Sequence, residues 1–288
     1  FQNFGQNISE SDQVVIDTLI SSWEALNERE RATKFVQDIS RSFMTQDVEL
    51  TGRILRRILE YSENTRDTIL IINSKALLAE YFWRTGNYDD GIKYAVKAAE
   101  LASDKPRFFL DEARALQVVG TIHFFNDNPE TATDFYKKSA LAFQRGGEIK
   151  AYISAISYVG AVNTDMGEKR GNASLLDSAV LYLKKTISYG EVTPKSIYLA
   201  ALGNLAYTYV VKEEWEVAED LYSEWFKEIE DFPNPTSKAN QYFTYATLLQ
   251  RSKQDEALEV ANKGLEFALE IGSIEKQQLY YQLLAEIY

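Results

Sequence analysis

Forty-three carboxylates, thirty-one basic side chains and one histidine, His123, are the groups in this 288-residue chain with which chemistry could be done. Their spacing does not assemble a known reaction centre. No cysteine is present, so thiolate catalysis, disulfides and cysteine-held metals are all excluded. A single histidine excludes a His-rich metal site. Gly167 to Gly171 lacks the spacing and the Lys-Ser/Thr ending of a phosphate-cradling loop. No His-Glu-x-x-His, nucleophile elbow or EF-hand loop occurs. With a net charge of −12, the carboxylates read as solvated surface rather than as a catalytic pair. His123 sits among Ile122, Phe124 and Phe125, which points to a packed core histidine, with pH sensing as the functional alternative. No cofactor, metal or catalytic residue is expected. The acidic balance also argues against nucleic acid, which needs a basic surface to displace counterions.

If no reaction is encoded, the next question is what the elements are built to hold. The five prolines fall between apolar-periodic segments, and no period-2 alternation bounded by turn residues is present, so the chain reads as all-α. No run of 18 apolar residues exists, so no membrane insertion is expected. Residues 76–101 show the unit: Leu78, Ala79 and Phe82 form a stripe at helical spacing, Gly86-Asn87 makes a turn, and Gly91, Ala95 and Ala98 give a second helix a small-residue face.

Small residues mark the same unit along the chain. One series, in second helices, is Gly52, Gly91, Ala132, Ala179, Ala218 and Ala257. A second, in first helices, is Ser40, Ala79, Gly120, Gly160, Ala206, Tyr245 and Ala285. Both recur about every 40 residues with one local expansion, the mark of stacked repeats. The expansion is Met166 to Ser174, read as a solvated, mobile loop inside the fourth hairpin. A helix from Ser11 to Leu26, with Ser9 or Ser11 as N-cap, precedes the repeats. The expected organisation is therefore 1–26 as an N-terminal capping helix and 27–288 as the repeat array, with five complete repeats and a truncated final half, about 14 helices in all.

Leu205-Ala206, Tyr209, Trp215, Ala218 and Tyr222, together with Val119-Gly120, Ala132, Tyr136 and Ala140, resemble the tetratricopeptide repeat (TPR) pattern. So do Leu284-Ala285 and Tyr288. The period exceeds the usual 34 residues, and such lengthened repeats look like those of bacterial regulatory and sensor proteins. The resemblance implies a right-handed α-solenoid of helical hairpins that binds protein or peptide in a concave groove. It implies no enzyme activity. The groove positions it projects are Gln37, Arg41, Asn73, Glu80, Arg84, Arg114, Gln117 and Thr121, then Ser157, Thr164, Asn204, Tyr207 and Tyr242, with Asn163 beside them. Arg41, Arg84 and Arg114 come from successive repeats and are suited to hold a carboxylate. Trp83 and Trp225 read as core packing, with a role as partner anchors as the alternative.

The context expected from this resemblance is the sensory or scaffolding region of a larger bacterial signalling protein, such as a sensor kinase, cyclase or transcription regulator. A free-standing adaptor bound on its convex face is the alternative. The half repeat at the end leads to the expectation that the native protein continues past Tyr288, and the unpaired last helix to a homodimer through it. The start at Phe1 and the absence of cysteine lean to an extracytoplasmic location, with the cytoplasm as the alternative.

Overall fold

The computed structural model describes residues 10–42, 47–229, 234–251 and 253–288. Among them are fourteen α-helices and no strand. They are α1 (Glu10–Glu24), α2 (Glu28–Ser42), α3 (Val48–Thr65), α4 (Thr68–Arg84), α5 (Tyr88–Ala102), α6 (Phe109–Phe125) and α7 (Pro129–Arg145). Then follow α8 (Ile149–Arg170), α9 (Ala173–Ile187), α10 (Lys195–Val211), α11 (Trp215–Ile229), α12 (Pro235–Leu249), α13 (Gln254–Glu270) and α14 (Ile274–Ile287). The chain divides into two compact units, one ending at Ala155 and the next beginning at Ile156.

The turns between paired helices repeat one piece of backbone chemistry. At α4–α5 the amide of Gly86 donates to the Trp83 carbonyl and that of Asn87 to the Phe82 carbonyl, with Gly86 at φ 77°. Asp127 and Asn128, Gly171 and Asn172, and Glu213 and Glu214 repeat both bonds at the next three turns. Each satisfies the orphaned carbonyls of the preceding helix through a left-handed residue. Side chains then cap the next helix: Asn87 accepts from the Asp90 amide, and Asn172 accepts from those of Ser174 and Leu175.

Hairpins formed this way bury their small-residue markers where helices cross. Ala79, Ala132, Ala179, Ala206, Ala218 and Ala257 are fully buried. A methyl group on Gly91 would come within 3.3 Å of the Ala79 carbonyl, so the backbones there are close. Tyr245, which stands at a small-residue position, is accommodated by lying against Tyr222, 5.1 Å between ring centres. In the first unit α2 packs on α4 and α4 on α6; in the second α10 packs on α12 and α12 on α14. First helices thus form a layer in each unit, with second helices against it.

Two expectations are corrected. The markers fall on separate helices from α2 to α13, which makes six hairpins before α14 rather than five, since each of the six second-helix markers has its own first helix. In addition, Met166 to Arg170 are not a loop but the last turn of α8, which is 22 residues long. Met166 is buried, Leu176 of α9 packs over Gly167, and Lys169 pairs with Asp165 one turn back at 3.0 Å. These contacts favour helix over coil, and the turn itself shrinks to Gly171-Asn172. The N-terminal helix begins at Glu10, so Ser11 lies within it, and Ser9 is outside the described residues.

Candidate functional site

In the first unit the first-helix layer carries two polar groupings. One is buried. Asn73 of α4 is 2% exposed and its Nδ2 donates both to the Ile69 carbonyl at 2.8 Å and to Asp111 Oδ1 of α6 at 2.9 Å. Arg29 of α2 donates from Nη1 to Asp111 Oδ2 at 2.9 Å, and its Nη2 donates to the Arg107 carbonyl. Arg114 Nη1 stands 3.9 Å from Asp111 Oδ1. The other grouping reaches solvent. Glu80 and Arg84 pair across one helical turn at 2.9 Å, Arg84 lies over the Trp83 ring at 5.4 Å, and Trp83 leans on Phe125 at 5.2 Å. Such an i,i+4 pair at the surface stabilises little and is open to competition.

Gln117 is half-buried, and its carbonyl accepts the Thr121 hydroxyl at 3.0 Å; that hydroxyl also lies 3.0 Å from the Tyr136 hydroxyl. Gln37 is exposed on α2. The Arg41 side chain lies outside the described residues.

In the second unit most of the projected residues turn inward. Ser157 is buried, Asn163 donates to the Ser178 hydroxyl of α9 at 2.9 Å, and the Thr164 and Thr208 hydroxyls meet at 2.7 Å between α8 and α10. Tyr242 is buried against Phe226, 4.4 Å between centres. Ser157, Asn163 and Thr164, projected as groove positions, are therefore taken up in helix packing. Asn204 and Tyr207 are half-buried on α10. The Tyr207 hydroxyl donates to Glu168 at 2.5 Å, and burial followed by that carboxylate raises its pKa above the ordinary tyrosine value.

The arrangement offers hydrogen bonds and charge. No group of three or more His, Cys, Asp or Glu among the described residues is placed to hold a metal. No helix there is long and apolar enough to cross a membrane. His123 stacks parallel on Phe135 at 5.7 Å, its Nδ1 is buried without a protein partner, and burial lowers its pKa.

Two acidic groups were not singled out from the sequence. Asp111 has no signal beyond standing three residues before Arg114. Glu112 next to it is raised in pKa, chiefly by burial and further by Asp104, against the pull of Arg145.

These stacked hairpins with small-residue crossings define a TPR-like helical repeat fold, and solved structures share it. One is a signal transduction ATPase with numerous domains from Pyrococcus horikoshii that carries a tetratricopeptide repeat sensor. It is 17% identical with a TM-score of 0.66, over 93% of this chain and 42% of that one. The apo form of RapI is 12% identical with a TM-score of 0.60, over 89% of this chain and 97% of its own. A thermophilic TPR protein from Thermus thermophilus is 18% identical with a TM-score of 0.53, over 74% of this chain and 99% of its own. The chain thus spans less than half of the P. horikoshii protein. No protein-family model matches the chain, and no curated protein matches it in sequence.

Proposed function

We propose that this chain is a protein- or peptide-recognition domain that reads its ligand with the solvent-reaching side chains of its first helices. The observation that carries this reading is the division of labour on those helices. Small and apolar residues close the packed sides, while Glu80, Arg84 and Gln117 in the first unit and, separately, Asn204 and Tyr207 in the second are left part-exposed or exposed. Side-chain amides offer donor and acceptor together, which suits an extended peptide backbone, and Arg84 is suited to an acidic side chain. The domain serves as the sensory or scaffolding region of a larger bacterial signalling protein. The likeness to a structure carrying a TPR sensor supports that context. The second reading is a free-standing adaptor. It is favoured by the likeness to RapI and the Thermus protein, whose own chains are covered almost end to end.

A random peptide display screen followed by calorimetric titration of the selected peptide tests the reading. Arg84→Ala should weaken binding at least about tenfold, the loss of one charged hydrogen bond of roughly 1.5–3 kcal/mol. Failure to select any sequence-dependent binder, or a selected binder indifferent to Arg84→Ala, would count against the first-helix face. Sensitivity instead to Glu216→Lys and Asp220→Lys on α11 would shift the site to the second helices, as the adaptor reading requires.

A further inference from the structure

Three successive first helices send one polar side chain each to the same carboxylate. Asp111 of α6 is fully buried, and each of its oxygens has its own donor: Arg29 from α2 on Oδ2, Asn73 from α4 on Oδ1. A carboxylate taken out of water is costly unless it is both paired and hydrogen-bonded, and here it is both. The donors are also held independently of the acid. Arg29 is tied to the Arg107 carbonyl through its second terminal nitrogen, and Asn73 to the Ile69 carbonyl through its second amide hydrogen. Arg114 stands beside the same acid, and both arginine side chains keep 40% of their surface in solvent. Two cations and one amide are therefore arranged around a single anion, with the cations bordering water and the anion behind them.

We infer that Arg29, Asn73 and Arg114 form a carboxylate-binding site whose occupant is the chain's own Asp111 side chain. The separate donors on the two oxygens match a planar carboxylate and not a spherical anion. Arg114 is thus held beside a buried acid, whereas Arg84 pairs with Glu80 at the surface. The site also clasps α2, α4 and α6 through one group, so removing the acid loosens three helices at once.

Removing the carboxylate should leave a place that a small carboxylate ion can refill. Thermal unfolding of the full chain carrying Asp111→Ala is to be followed in sodium acetate and in sodium chloride of equal ionic strength. The variant should melt several degrees below the wild type. Acetate should restore part of the loss and saturate, as mass action on a folded-state site requires. The wild type should melt alike in both salts, and Asp111→Ala with Asn73→Leu should lose the acetate effect. A variant as stable as the wild type, or acetate acting no better than chloride, overturns the assignment. If Asp111→Ala does not fold, Asp111→Asn and Arg29→Gln in a double-mutant cycle decide instead. Coupling of at least about tenfold in the unfolding constant supports the site, and additive effects overturn it.

Discussion

Tyr280 of α14 lies directly across Gly264 of α13, and its hydroxyl donates to the Ala239 carbonyl of α12 at 2.5 Å. A methyl group at residue 264 would overlap that hydroxyl and ring. The ring is 1% exposed and anchored at its tip, so it has nowhere to move. Alanine in place of glycine favours a helix by about 1 kcal/mol. Overpacking costs about 1–3 kcal/mol, and a displaced Tyr280 hydroxyl is itself left buried and unpaired at a further 1–3 kcal/mol. The clash outweighs the propensity. Gly264→Ala should lower stability by roughly 1–5 kcal/mol in urea unfolding, and adding Tyr280→Phe should recover part of it. An unchanged or raised midpoint for Gly264→Ala would refute the packing argument.

Acid should act through His123. Burial holds its folded pKa below the ordinary 6.5, so the unfolded chain binds the proton more readily. Its contribution to stability is complete above about pH 6.5 and falls away as the pH drops through and below that value. Melting temperatures measured between pH 8 and pH 5 should fall more for the wild type than for His123→Phe, which keeps the stack on Phe135. Parallel curves for the two proteins would show that this imidazole stays out of the acid transition.

At high pH the tyrosines take over. Burial, reinforced by the hydrogen bond to Glu224, pushes Tyr198 up to about 12, and burial raises Tyr222 and Tyr280 as well. A raised folded pKa means stability that is whole below pH 10 and lost as the pH climbs toward 12 and beyond. Ultraviolet absorbance titration should show one set of tyrosines ionising near 10 and a later set whose ionisation coincides with loss of helical circular dichroism. Ionisation of all of them in one step near pH 10, with the helices intact, is the contrary result.

The hydroxyl pair between α8 and α10 makes a separate claim. Thr208 donates to the Asn204 carbonyl at 2.6 Å and Thr164 to the Gly160 carbonyl at 3.2 Å, and the two hydroxyl oxygens lie 2.7 Å apart. Replacing either threonine by valine removes this contact while the other hydroxyl keeps its own helix carbonyl, at a cost of about 0.5–1.5 kcal/mol, and replacing both loses the contact only once. Chemical denaturation of the two single variants and the double variant should therefore give a double that loses less than the sum. Simple additivity would mean that the hydroxyls do not depend on one another.

The helices and their period were legible because backbones cross closely, and close crossing demands small residues at a fixed interval. Ala79 under Gly91 is one such point, and nothing else in an amphipathic helix explains its size. Which flank of a first helix meets solvent was harder to read. Asn73, Asn163 and Thr164 have the chemistry of ligand contacts, yet each is consumed by a neighbouring helix, because an α-helix in a stack meets partners on several sides of its 3.6-residue turn. Asp111 was invisible for a related reason. A carboxylate in the first turn of a helix is unremarkable beside the helix dipole, and its burial depends on Arg29, 82 positions away. Met166 to Arg170 misled through their glycine and charges; the decisive contact is the seat that Gly167 offers to Leu176, which local sequence does not reveal.

Stacks of similar hairpins face a hazard in folding, since a hairpin can dock one unit out of place and still bury its small-residue crossing. The length of α8 answers it. At 22 residues it outruns α4, α6 and α10, each 17 residues long. Its added turn receives Leu176 at Gly167 and offers Glu168 to Tyr207. A chain slipped by one repeat would leave Leu176 without its seat and Tyr207 without its acceptor. The long helix thus works as a key cut for one lock, fitting one partner hairpin and not its neighbours.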